Sequence, residues 1–177
     1  YDKQTDRVFQ LQKYVFAKEW NHAIAFHERY PSKNLIGQYF YNIALSETNQ
    51  LCNRLFFGRQ DFGSKALLLP WSNEQHIHRG AYFYYSIGLM NEAHRWAYVS
   101  MAVHGYRPQN LKLLTKINLI NGNYRMAEKY IDLLKKTINY NKWAKKYEKL
   151  LYKPERVRSH PELGEKIKLL PKNNFLV

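Results

Sequence analysis

The stretch Ile117 to Leu134, INLINGNYRMAEKYIDLL, admits little other than two antiparallel helices joined by a tight turn. An apolar helical end runs into Asn121-Gly122-Asn123, and Tyr124, Ala127, Ile131 and Leu134 then recur at helical spacing. Gly122 tolerates the left-handed backbone that ends a helix. Ala127 constrains the packing, because the approach of two helix axes depends on the side chains at their contact and a methyl group allows a close one.

The pattern recurs upstream. Thr5 to Ala17 carries Val8, Phe9, Leu11, Tyr14, Val15 and Phe16 at helical spacing. Lys18-Glu19 then leads to Trp20 and a second helix with Ala23, Ile24, Phe26, His27 and Tyr30, stopped by Pro31. Pro31-Ser32-Lys33-Asn34 offers helix caps before Leu35 to Glu47, and Thr48-Asn49-Gln50 turns the chain toward Leu51. Arg54 stands there where alanine stands elsewhere, so either the helices splay or the arginine head reaches water along its stem. Ile77 to Ile87 ends at Gly88 and precedes Met90, Ala93, Trp96, Ala97 and Met101; Pro108 is placed as the first residue of a helix to Ile120. From Ala23 to Arg54 the spacing is 31, from Arg54 to Ala93 it is 39, and from Ala93 to Ala127 it is 34.

These turns, aromatic positions and small residues resemble a degenerate tetratricopeptide repeat, with Lys18, Asn49 and Arg54 as departures. The resemblance implies an all-α, right-handed superhelix in a single domain over 1–177: pairs at about 5–30, 34–58, 73–104 and 108–137, capped by helices at about 139–152 and 160–169. It also implies that first helices line a concave groove, with Tyr39, His78, Tyr82, Tyr85, Lys112 and Lys116 facing a protein or peptide segment. The strings YNIALSETNQL, LFFGRQ, GLMNEAHRWA, KINLINGNYRMAEKYIDLLKKT and YNKWA are similar to the soluble C-terminal region of a family of uncharacterised multi-pass membrane proteins from Bacteroidetes-type bacteria. That resemblance implies a membrane-embedded N-terminal part outside this chain, and by analogy an extracytoplasmic position. Beginning at Tyr1 inside a helical pattern, the chain reads as a fragment or processed product.

Gly58 to Pro70 breaks the periodicity and carries Leu67-Leu68-Leu69. It is either a packed cover or a functional loop, and the cover is favoured because exposed leucines invite aggregation. Ser72 with Gln75 is a capping-box signature for the next helix, and Ser159, Pro161 and Glu162 start a short last helix by the same chemistry. Asn173 to Val177 reads as a tail.

Little catalytic chemistry is written in the chain. No phosphate loop, Gly-x-Ser-x-Gly elbow or His-Glu-x-x-His motif occurs. His76 and His78 lie two apart, pointing away from one another on a helix, and with Glu74 suit a surface cap better than a metal. The lone Cys52 is expected to be a buried structural thiol. No catalytic residue, metal or cofactor is expected.

The net charge of +14 favours acidic partners. From Lys129 onward there are 13 Lys and Arg against 5 Asp and Glu, so eight of the net fourteen charges fall there. On the ninth helix Lys142, Lys145, Lys146, Lys149 and Lys153 oppose the face of Trp143, Tyr147, Leu150 and Leu151. This ridge is either a solvated face or a contact with an anionic membrane surface. Two functions remain open: an interaction or scaffolding module of a membrane-anchored protein, or an accessory domain that shapes the site or binds the substrate of a membrane-embedded enzyme whose catalytic part lies outside this chain. Nucleic-acid binding rests on charge alone and is the weakest.

Overall fold

In the computed structural model, which describes residues 3–71 and 74–171, the chain is all-α, and no strand occurs among the described residues. It divides into two compact units, residues 1–86 and 87–177. The capping residues Ser72 and Asn73 and the tail beyond Pro171 lie outside the described residues, and so does the side chain of Gln75.

The first unit contains α1 (Lys3–Phe16), α2 (Trp20–Arg29), α3 (Leu35–Glu47), the single turn α4 (Leu51–Arg54), a 3-10 turn (Gly63–Ala66) and α5 (Glu74–Ser86). Helix α3 is its centre. Every residue from Ile36 to Leu45 is buried, because α1, α2, α5 and the 3-10 turn all pack against it. A helix apolar on most sides is expected at the middle of a layer, and α3 has that composition. Its start is fixed by Asn34, whose side chain accepts a hydrogen bond from the Ile36 N–H at 2.8 Å.

The second unit contains α6 (Met90–His104), α7 (Pro108–Ile120), α8 (Tyr124–Lys135), α9 (Asn141–Glu148), α10 (Pro154–Ser159) and α11 (Pro161–Lys168). Helix α7 is central here, packed against α6, α8 and α11. Its buried polar groups are satisfied locally: Thr115 donates to the Leu111 carbonyl at 2.8 Å, Asn118 to the Leu114 carbonyl at 2.8 Å, and Asn110 to the Ser100 hydroxyl at 2.6 Å.

One turn geometry repeats. Lys18, Asn49, Gly88 and Gly122 all have left-handed backbone, with φ of 60°, 56°, 84° and 73°. Each stands five residues before Ala23, Arg54, Ala93 or Ala127. After three of them the next N–H reaches back five residues to the ending helix, Glu19 to Tyr14 at 2.8 Å, Gln50 to Leu45 at 2.8 Å and Asn123 to Asn118 at 2.8 Å. Ala23, Ala93 and Ala127 are fully buried. A Cβ at Gly122 would meet nothing within 4 Å, so Gly122→Ala isolates the backbone cost. The expected loss is about 1 kcal/mol in urea unfolding; an unchanged midpoint would deny that the turn needs this conformation.

Five expectations are corrected. The second helix of the second pair does not reach residue 58, because α4 stops after one turn; Arg54 neither splays the helices nor simply escapes to water but pairs with Glu28 of α2 at 2.7 Å. On so short a turn Cys52 faces outward and is exposed rather than buried. The ninth helix ends at Glu148, not at Tyr152, whose left-handed φ of 57° lies just before the unforeseen α10. Helix α11 is capped by the His160 ring, which accepts from the Leu163 N–H at 3.4 Å, in place of Ser159.

Candidate functional site

Of the six residues expected to line a groove, Tyr39, His78, Tyr82 and Tyr85 fall in the first unit. Tyr39 and Tyr85 are buried, so neither is open to a ligand as expected. The Tyr39 hydroxyl donates to the Arg79 carbonyl at 2.6 Å and accepts from the Phe83 N–H at 3.0 Å, which ties α3 to α5. Burial holds that hydroxyl well above the ordinary tyrosine range. Tyr82 is half-buried against Phe16, with ring centroids 5.3 Å apart, and His78 is half-buried too.

The segment from Gly58 to Trp71 covers α3. Two amides one helical turn apart, Gln38 and Asn42, are fully buried and bind it. Gln38 donates to Asp61 Oδ2 at 2.9 Å and accepts from the Asp61 N–H at 2.7 Å. Asn42 donates to the Ala66 carbonyl at 2.9 Å and exchanges hydrogen bonds with the Gln60 amide at 3.2 and 2.6 Å. Arg59 pairs with Asp61 and, as the larger influence beside Gln38, holds its carboxyl below the usual range. Leu69 enters the core while Leu68 stays exposed, so the leucine run is only partly a packing element. His76 adds a tie, its Nδ1 lying 3.0 Å from the Pro70 carbonyl.

A second buried polar cluster joins α2, α3 and α4. His27 is fully buried, stacked on Tyr41 at 4.5 Å, and neither ring nitrogen makes a hydrogen bond. Desolvation lowers its pKa to about 4, against weaker opposing help from the Arg59 backbone and the Glu28 carboxylate. Tyr41 donates to Glu28 at 3.1 Å, and a Cβ at Gly58 would stand 2.6 Å from the Tyr41 ring, so the cluster has no spare room.

In the second unit, Lys112 and Lys116 of α7 are covered by the chain's own C-terminal part and do not stand open as a ligand face. Lys116 Nζ is 2.7 Å from Glu162 Oε1, with side chains only 14% and 17% exposed. Lys112 Nζ sits 4.2 Å from the centre of the Tyr140 ring and 5.5 Å from that of Trp143, and burial lowers its pKa. Glu162 was visible in the sequence only as a capping residue. A contact spanning 46 positions leaves no local signal.

Of the lysines expected to form a basic ridge, Lys142, Lys145 and Lys146 lie on α9, Lys149 stands at its end and Lys153 precedes α10. Lys142, Lys145, Lys146, Lys149 and Lys153 are all exposed, while Ala144, Tyr147, Leu150 and Leu151 are buried. The first four fall within a sector of roughly 100° on a helical wheel. Nearby acids are engaged elsewhere: Glu148 with Lys135 at 2.6 Å, Glu155 with Arg158 at 2.9 Å, and Glu128 with the Tyr152 hydroxyl at 3.0 Å. No ion pair involves the five lysines among the described residues. Ahead of them Ile138, in the turn between α8 and α9, is 97% exposed. Sequence reading passed over Ile138, although an aliphatic residue between Thr137 and Asn139 was its signal.

Among the described residues no group of three His, Cys, Asp or Glu is placed to hold a metal, and no helix is long and apolar enough to cross a membrane. The chain belongs to DUF6057, a family of unknown function whose model matches residues 1–177. No curated protein and no solved structure matches it.

Proposed function

We propose that this DUF6057 chain is a non-catalytic interaction domain that presents the lysine face of α9 to an acidic partner surface. The observation that carries the reading is the set of exposed lysines with no acidic counterpart, Lys142, Lys145 and Lys146 on α9, Lys149 at its end and Lys153 before α10, where the opposite side of α9 is locked into the unit. Structural needs account for part of it, since Lys145 and Lys146 in the last turn complement the helix dipole. They do not account for Lys142 or Lys153. The recurring left-handed turns and buried alanines support a tetratricopeptide-like reading of the helix pairs. The faces of α3 and α7, on which such a repeat would bind its ligand, are filled by the 58–71 segment and the C-terminal helices. The resemblance to multi-pass membrane proteins adds that the domain serves as a scaffold beside a membrane-embedded part of its own chain.

The test is retention on immobilised polyglutamate. Changing Lys142, Lys146 and Lys149 to glutamate alters net charge by as much as changing exposed Lys3, Lys13 and Lys33. The first variant is expected to elute at distinctly lower salt than the second. Equal losses would reduce the binding to bulk charge and remove the proposed face.

A further inference from the structure

Resting on that reading, we propose that the acidic partner of the α9 face is an anionic lipid surface, with Ile138 as the apolar side chain that enters it. Three observations converge. The face is built from lysines alone, and an ammonium group is a flexible point charge suited to a laterally mobile layer of headgroups. Fixed phosphates and carboxylates are more often met by the planar fork of arginine. Next, Ile138 is almost wholly exposed in the turn that leads into α9, between half-buried Thr137 and exposed Asn139, with exposed Lys136 two residues before it. An aliphatic side chain left in water beside a cationic face gains by moving to the headgroup boundary, where charge attraction and apolar burial act together. Last, the buried side of α9 keeps the lysines outward, since turning them away would expose Ala144 and Tyr147.

The experiment is co-sedimentation of the chain with vesicles of phosphatidylcholine alone and of phosphatidylcholine mixed with phosphatidylserine, at low and raised salt. The wild-type chain is expected to bind the mixed vesicles only, and less as salt rises. With the lysines at 142, 146 and 149 changed to glutamate, affinity should fall on the order of 100-fold, each lysine contributing about fivefold or more. Ile138→Ser is expected to weaken binding up to roughly tenfold without changing its salt dependence. Circular dichroism confirms that each variant stays folded, and the Lys3, Lys13 and Lys33 variant serves as the charge control. Equal binding to both vesicle types, or equal loss in the control, overturns the proposal. If polyglutamate retention depends on the α9 lysines but vesicles are not bound, the lipid assignment fails and the interaction face stands. Preference for duplex DNA over anionic vesicles also overturns the lipid assignment.

Discussion

Asn42→Leu should cost about 3 kcal/mol of unfolding free energy, well beyond what a change of similar volume would suggest. The side chain is fully buried and makes three hydrogen bonds to the covering segment, two with Gln60 and one with the Ala66 carbonyl. Leucine makes none of them. It leaves the Gln60 amide and the carbonyl of fully buried Ala66 without partners, and a buried polar group stripped of its partner costs about 1 to 3 kcal/mol. Hydrogen exchange of residues 58–71 should accelerate with the loss of stability, since Gln38, the His76 contact and buried Leu69 would then be left to fasten the segment. Urea unfolding measures the first effect. A variant as stable as wild type would show that the segment rests on α3 without being held there.

Between pH 6.5 and 4 the fold should lose stability on the order of 3 kcal/mol through His27. The sign follows from the direction of the shift: burial lowers the folded-state pKa to about 4, while the unfolded chain takes up its proton near the ordinary histidine value. The unfolded state therefore binds more protons across this window. Stability contributed by neutral His27 is complete above about pH 6.5 and declines as pH falls toward 4. His27→Phe preserves a ring to stack on Tyr41 and removes the titration, so its stability should be flatter over the same range. Identical slopes for variant and wild type would place the acid sensitivity elsewhere.

The helices were legible where turn chemistry repeats. Lys18 and Gly122 mark chain reversals between packed helices, and Ala23 and Ala127, five residues on, are buried as close packing requires. Periodicity identifies which side of a helix is apolar, but not which distant segment covers the rest. For that reason Tyr39 and Tyr85 were expected in a groove, whereas Tyr39 bonds to α5 and Tyr85 is buried. Gln38 and Asn42 carried a usable signal, two amides one turn apart in an otherwise apolar helix. Lys116 carried none, since its partner Glu162 lies 46 residues on. The α9 face was readable because exposed Lys142, Lys145 and Lys146 and buried Ala144 and Tyr147 alternate within one short helix, whereas its end at Glu148 was not.

The most direct measurement of the central claim is amide NMR of the isotope-labelled chain during titration with polyglutamate, which shows where an acidic surface makes contact. The account predicts shifts concentrated on residues 141–153 and the preceding turn, with the backbone near Tyr82, Lys112 and Lys116 unmoved. Shifts that cluster on α3, α5 and α7 and spare α9 would contradict it and return the binding role to the faces that the chain covers itself.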